Sequence, residues 1–217
     1  MKITSSFVSV GAALVCACFW NVLPPVAAAE EGASPLRVLF LGDTGHHRPV
    51  DRFKQLEPAL RRHGIELDYT ESLDDLSPAK LAGYDCLLIY ANWTKISSEQ
   101  EKALLDFVAN GGGFVALHCA SYCFLNSSKY IELVGGQFQS HGTGVFNETI
   151  VKPDHAVMTG LSPIESWDET YVHTKHNANR IVLSERRDTK GAEPYTWVRE
   201  HGKGRVFYTA WGHDERT

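Results

Sequence analysis

The chain has 217 residues, of which 43% are hydrophobic and 22% charged. That is enough for one globular domain with a sizeable core, and it excludes a disordered or fibrous chain. The formal net charge is -5, and no cluster of Lys and Arg or basic helix face offers a footprint for nucleic acid.

Residues 1–29 read as a secretory signal peptide. Lys2 supplies the positive start, "FVSVGAALVCACFWNVL" a short apolar core, and "PPVAAAEE" places Ala27 and Ala29 before Glu30. Cleavage after Ala29 leaves residues 30–35 as a linker and puts the mature domain, residues 36–217, in the periplasm or outside the cell. The alternatives are an uncleaved anchor and a poor lipobox acylated at Cys18. No second apolar stretch approaches membrane length, so no transmembrane segment is expected in the mature chain. Cys16 and Cys18 leave with the signal. Cys86, Cys119 and Cys123 are too few and too irregular for a disulfide scaffold, and buried free thiols are expected.

"LRVLFLGD" (36–43) is a nearly continuous apolar run, suited to a strand buried on both faces. "PVDRFKQLEPALRRHG" follows with Phe53, Leu56 and Leu60 at helical spacing and Gly64 at the stop. "IELDYTES" predicts a second strand and "SPAKLAGY" a short helix, with Ser77 as cap and Pro78 at its first position. "DCLLIYAN" is a third strand. "ISSEQEKALLDFVANGGG" is a helix capped by Ser97 or Ser98, with Glu101 behind and Gly111 at its end. "GFVALHC" is the fourth strand. This order predicts an α/β fold: an open, mostly parallel sheet with helices on both faces. Ligands in such sheets sit beyond the carboxyl ends of the strands, here Gly42-Asp43-Thr44, Tyr90-Ala91-Asn92 and His118-Cys119. Past Gly136 the rhythm changes to short strands and turns, ending in "RVFYTAW". The chain stops at Thr217, where an α/β domain ordinarily adds a closing helix, so a longer protein is expected.

Five constellations carry candidate chemistry. A strained strand-to-helix elbow needs small residues two before and two after its apex. Ala116 and Ala120 meet that need for His118, whereas Leu117 would crowd an elbow centred on Cys119. "GGQFQSHGTG" sets His141 in a glycine-rich loop that allows close backbone approach to a ligand. "SWDETYVH" places Asp168 and Glu169 beside Trp167 and Tyr171, a mixture typical of sugar sites, where rings stack and carboxylates accept hydroxyl protons. "AWGHDERT" puts His213 and Asp214 after a buried strand, and "GDTGHHRP" puts His46 and His47 after the first strand. Each also has a plain reading: a satisfied core histidine, a surface histidine in a turn, a solvated carboxylate. Gly42 and Gly45 do not make a dinucleotide fingerprint, and no HExxH or CxxC signature occurs.

The stretches "GGGFVALHCA", "LVGGQFQSH", "HAVMTGL", "DETY" and "HGKGRVFYTAWGHD" together resemble the ThuA-like family, named for trehalose utilisation. The resemblance runs from about Leu36 to the chain end. It implies a flavodoxin-like fold of the class I glutamine amidotransferase type, with His118 at the elbow where amidotransferases carry cysteine. It also carries over His47, His141, Asp168, Glu169, His213 and Asp214 as site residues. The family's pattern continues past "GHD" into a Trp-bearing helix. Its members occur beside sugar oxidoreductases or fused to other exported modules.

The expected function is therefore that of an exported domain acting on a carbohydrate or keto-sugar, by hydrolase, lyase or isomerase chemistry. His118, His213 and Asp214 are the expected catalytic groups. His47, His141, Asp168, Glu169 and Tyr171 are the expected substrate contacts. A divalent metal, zinc by its ligand type, is expected at His118, His141 and His213 if one binds. The alternatives are a non-catalytic sugar-binding module of a larger redox protein and a cysteine hydrolase using Cys119.

Overall fold

The computed structural model describes residues 34–217 except residue 190; the signal peptide expected from the sequence, and most of the expected linker, lie outside the described residues. The chain begins with β1 (Leu36–Leu41), α1 (Pro49–Arg61), β2 (Ile65–Thr70), α2 (Pro78–Leu81), β3 (Cys86–Ile89), α3 (Ser98–Ala109) and β4 (Gly113–Leu117). A 3-10 turn (His118–Tyr122) leads to α4 (Ser128–Val134), and strands follow: β5 (Gln137–Ser140), β6 (Thr143–Ile150), β7 (Glu165–Glu169), β8 (Val172–Thr174), β9 (Arg180–Asp188), β10 (Gly191–His201) and β11 (Gly204–Thr209).

One nine-stranded sheet runs β2-β1-β3-β4-β11-β10-β9-β6-β7, and β5 and β8 form a separate pair. The pairings from β2 to β11 are parallel, and those from β11 to β7 are antiparallel. The sheet is thus mixed, and of the late strands β6, β7, β9, β10 and β11 extend it. Three antiparallel steps reverse β10, then β9, then β6, and a fourth turns β7 back to the direction of β11. The carboxyl end of β7 therefore reaches the same rim as those of β1, β3, β4 and β11.

The apolar runs are buried on both faces because alternate side chains point to opposite sides. Leu39, Leu41, Leu87, Ile89, Phe114 and Tyr208 pack in the larger core with residues of α2, α3 and α4. Val38, Phe40, Leu88 and Tyr90 pack with Phe53, Leu56 and Leu60 of α1. Ser77 and Ser97 cap their helices as expected, but the reciprocal partner of Ser97 is Gln100 rather than Glu101. Cys86, Cys119 and Cys123 are free thiols.

Candidate functional site

The chain changes direction at the end of β4, and His118 takes the strain. Its φ is 45°, a left-handed conformation that costs a non-glycine residue about 1–3 kcal/mol. Ala116 and Ala120, both fully buried, leave room for this apex. The side chain is itself buried, its Nδ1 lies 2.6 Å from the Ala210 carbonyl, and its ring stacks on Tyr171 at 4.3 Å between centroids. A carbonyl can only accept, so Nδ1 carries a proton, and in the neutral ring Nε2 is the lone pair. The elbow's own carbonyl accepts from the Tyr208 hydroxyl at 3.1 Å, which also lies 2.9 Å from His173 Nε2. Cys119, one residue on, turns the other way into the core with Val38, Phe40 and Leu88. Burial pushes its thiol well above the ordinary range, so it has neither the thiolate nor the access of a nucleophile.

Two loops bring further imidazoles to this apex. After β1, Asp43 accepts from the backbone N–H groups of Gly45 and Asn92, which ties the His46–His47 turn to the end of β3. Gly42 is required there, because a Cβ would collide with Tyr69 and Pro49. His47 is buried, and its ring lies 5.2 Å from those of both His118 and His213. After β11 the chain turns at Gly212, whose φ of 119° favours glycine. The backbone N–H groups of Gly212 and His213 donate to Asp168 at 2.8 and 3.3 Å, while the Tyr90 hydroxyl donates to the Gly212 carbonyl at 2.6 Å.

Glu169, the last residue of β7, is the hub. Its Oε2 lies 3.2 Å from His118 Nε2 and 3.3 Å from His213 Nδ1, and its Oε1 lies 3.4 Å from His141 Nδ1. Burial alone would raise its carboxyl, but His118, His213 and His141 outweigh that and hold it below the ordinary range. Burial, with the neighbouring imidazoles, pushes His47 down to about 3. Burial likewise lowers His213 against the pull of Glu169. The result is one carboxylate among imidazoles, of which His47 and His213 are held below their ordinary range. Both ring nitrogens of His47, Nε2 of His118 and Nδ1 of His213 are buried without a hydrogen bond. Such a group costs about 1–3 kcal/mol, so four in one place call for a shared partner.

The structure sorts the expected site residues by role. His47, His118, Glu169 and His213 converge, each offering one ligand atom, with these atoms all within 4.8 Å of one another. His141 stays at the rim with its side chain 39% exposed, so the ligand set expected from sequence exchanges His141 for His47 and Glu169. Asp168 and Glu169 are neighbours on a strand and divide the work. Asp168 faces the backbone of the His213 loop and is saturated there, with the Thr217 hydroxyl adding a donor at 2.9 Å. Asp214 turns from the cluster to Arg216, whose guanidinium hydrogen bonds hold its carboxyl at about 2. Asp214, expected among the catalytic groups, thus stands apart from them, and the carboxylate beside His213 is that of Glu169. Tyr171 is buried and packs on His118 rather than lying open. Sequence reasoning missed the structural part of Tyr90, the Ala210 carbonyl and Phe138. Only Tyr90 left a local signal, by its place at a strand end.

No curated protein matches the chain. Among solved structures, a ThuA-like protein of Bacteroides uniformis superposes with a TM-score of 0.71 at 19% identity, covering 87% of this chain and 85% of that one. One of Parabacteroides merdae gives 0.74 at 18%, covering 84% and 81%. A protein of Salmonella typhimurium described as cytoplasmic gives 0.61 at 16%, covering 83% and 89%. At these identities the likeness is one of fold. The sequence profile of the family described as ThuA, trehalose utilisation, matches residues 37–217, and on that match, which covers all but the first residue of the described sheet, this chain belongs to the ThuA family.

Proposed function

We propose that the domain is an exported enzyme acting on a carbohydrate, in the first place a keto-sugar of disaccharide type. The observation that supports this is a polar cluster adjoining an aromatic wall at one rim of the sheet. Tyr171 lies against His118, Phe138 lies 4.6 Å from Tyr171, and the exposed Tyr122 lies 5.6 Å from Phe138. Rings of this kind take the flat face of a sugar, while the cluster holds an oxygen. A carbonyl oxygen directed at the cluster would be polarised by a proton or cation held among these groups, which acidifies the neighbouring carbon. His141, exposed and beside Glu169 Oε1, carries a proton between substrate and solvent in this reading. That chemistry serves lyase and isomerase steps and, with water as the nucleophile, hydrolysis. A sugar oxidoreductase, fused or acting alongside, would supply the oxidised substrate.

The test is turnover of a panel of keto-disaccharides and their unoxidised parents by the purified domain, with calorimetric binding measured in parallel. Turnover of a keto-sugar, lost by about 100-fold or more in Glu169→Gln, is the expected result. Binding with no turnover of any member would replace the enzyme by a sugar-binding module. Neither binding nor turnover would remove carbohydrate from the reading.

A further inference from the structure

We propose that His47, His118, His213 and Glu169 form a binding site for one divalent transition metal ion of the zinc class. The inference deepens the proposed function and rests on the same cluster, but its argument uses the geometry alone. A four-coordinate zinc ion with bonds of about 2.0–2.1 Å holds neighbouring ligand atoms about 3.3 Å apart, the edge of the tetrahedron. Glu169 Oε2 lies 3.2 Å from His118 Nε2 and 3.3 Å from His213 Nδ1. At those distances the two nitrogens nevertheless make no hydrogen bond, and His47 beside them has none at either ring nitrogen. Close approach without hydrogen bonding is the arrangement of atoms that share a cation.

Two further features are built for the same purpose. The Ala210 carbonyl, 2.6 Å from His118 Nδ1, fixes the tautomer that leaves Nε2 free to ligate. Asp168, through the N–H groups of Gly212 and His213, holds the second imidazole's backbone in place without spending its own oxygens on the cluster. Donor chemistry selects the ion. Imidazole nitrogens with one carboxylate suit zinc and its neighbours in the first transition row, whereas calcium and magnesium take oxygen ligands. No thiol belongs to the set, since Cys119 packs in the α1-side core. His141 lies outside the ligand set, at the exposed rim.

The experiment uses the full domain without substrate, so that failure to bind metal is distinct from failure to turn over a sugar. The protein is stripped with chelator, dialysed and titrated with Zn²⁺ and then Co²⁺, following metal content, melting temperature and the visible spectrum. One ion per chain, a raised melting temperature and cobalt bands of a nitrogen–oxygen site are expected. His47→Ala and Glu169→Gln, which leave the strained elbow intact, should each weaken Zn²⁺ by about 100-fold or more, while His141→Ala changes it by less than about threefold. Circular dichroism accompanies each variant, and if one unfolds, the wild-type cobalt spectrum still decides. The proposal is overturned by wild-type protein that takes up no stoichiometric ion, by folded His47→Ala and Glu169→Gln that bind as tightly as wild type, or by thiolate charge-transfer bands in the cobalt spectrum.

Discussion

The two ends of the sheet offer a groove and a cluster, and they differ in how their polar groups are arranged. A concavity of about 1490 Å³ lies at the amino ends of β3, β4 and β11, and Phe107, Val115, Val198 and Phe207 are among the residues lining it. Val115, Phe207, Val198 and Ile181 pair successively across β4, β11, β10 and β9, so their side chains form one row on the face that α1 covers only farther along. The charged residues there, such as Glu200 and Arg205, do not converge on a point. At the carboxyl ends four ligand atoms from four separate segments face one another. Strands running one way deliver their carboxyl ends and following loops to a single rim, where backbone groups are free to hold side chains in strained positions. A site is marked by convergent polar atoms lacking partners, and volume alone is a poor guide.

If that division holds, core and rim substitutions should separate stability from chemistry. Phe114, buried on β4 against Tyr130, gives the largest expected effect. Phe114→Ala should cost about 3–5 kcal/mol in urea unfolding, with activity and metal content per folded molecule unchanged. A loss of activity beyond the unfolded fraction would mean that the two ends are coupled.

Asp168 sits on the boundary between the two roles. Asp168→Ala removes the acceptor for the Gly212 and His213 N–H groups and should lower turnover about 10–100-fold. It should also cost about 1–3 kcal/mol of stability, because those donors lose their partner. Its pH–rate profile should keep the wild-type shape, since Asp168 positions the loop and does not transfer the proton; a displaced profile would assign it a direct part in the chemistry.

The smallest effect belongs to Cys119, one residue from the centre yet part of the core. Cys119→Ala should keep activity and lose about 1 kcal/mol. Iodoacetamide should label native Cys119 slowly, because the thiol is buried and its pKa raised. Rapid labelling that abolishes activity would restore the cysteine hydrolase.

Much of this architecture was legible locally. The alternation from β1 to β4 follows from apolar runs, serine caps and glycine stops, all of which act within a few residues. The elbow was legible for the same reason: Ala116 and Ala120 are small on either side of His118, and only a small neighbour tolerates that turn. By contrast, the run of short strands after Gly136 showed strand propensity without partners, because their pairing joins segments far apart in sequence, such as β4 with β11.

Membership of the centre was decided at the same long range. Sequence alone placed histidines and acids at strand ends, since a buried run followed by polar residues marks where a strand leaves the core. It could not say which of Asp168 and Glu169 faces inward, because alternation makes neighbours point apart without stating which side is which. The insertion of β11 between β4 and β10, and the antiparallel steps that bring β7 to the rim, gave that side to Glu169. The tertiary structure likewise drew His47 in from the first loop, left His141 at the edge and turned Asp214 to Arg216. Distances between these groups depend on strand order and loop closure, which no local pattern encodes.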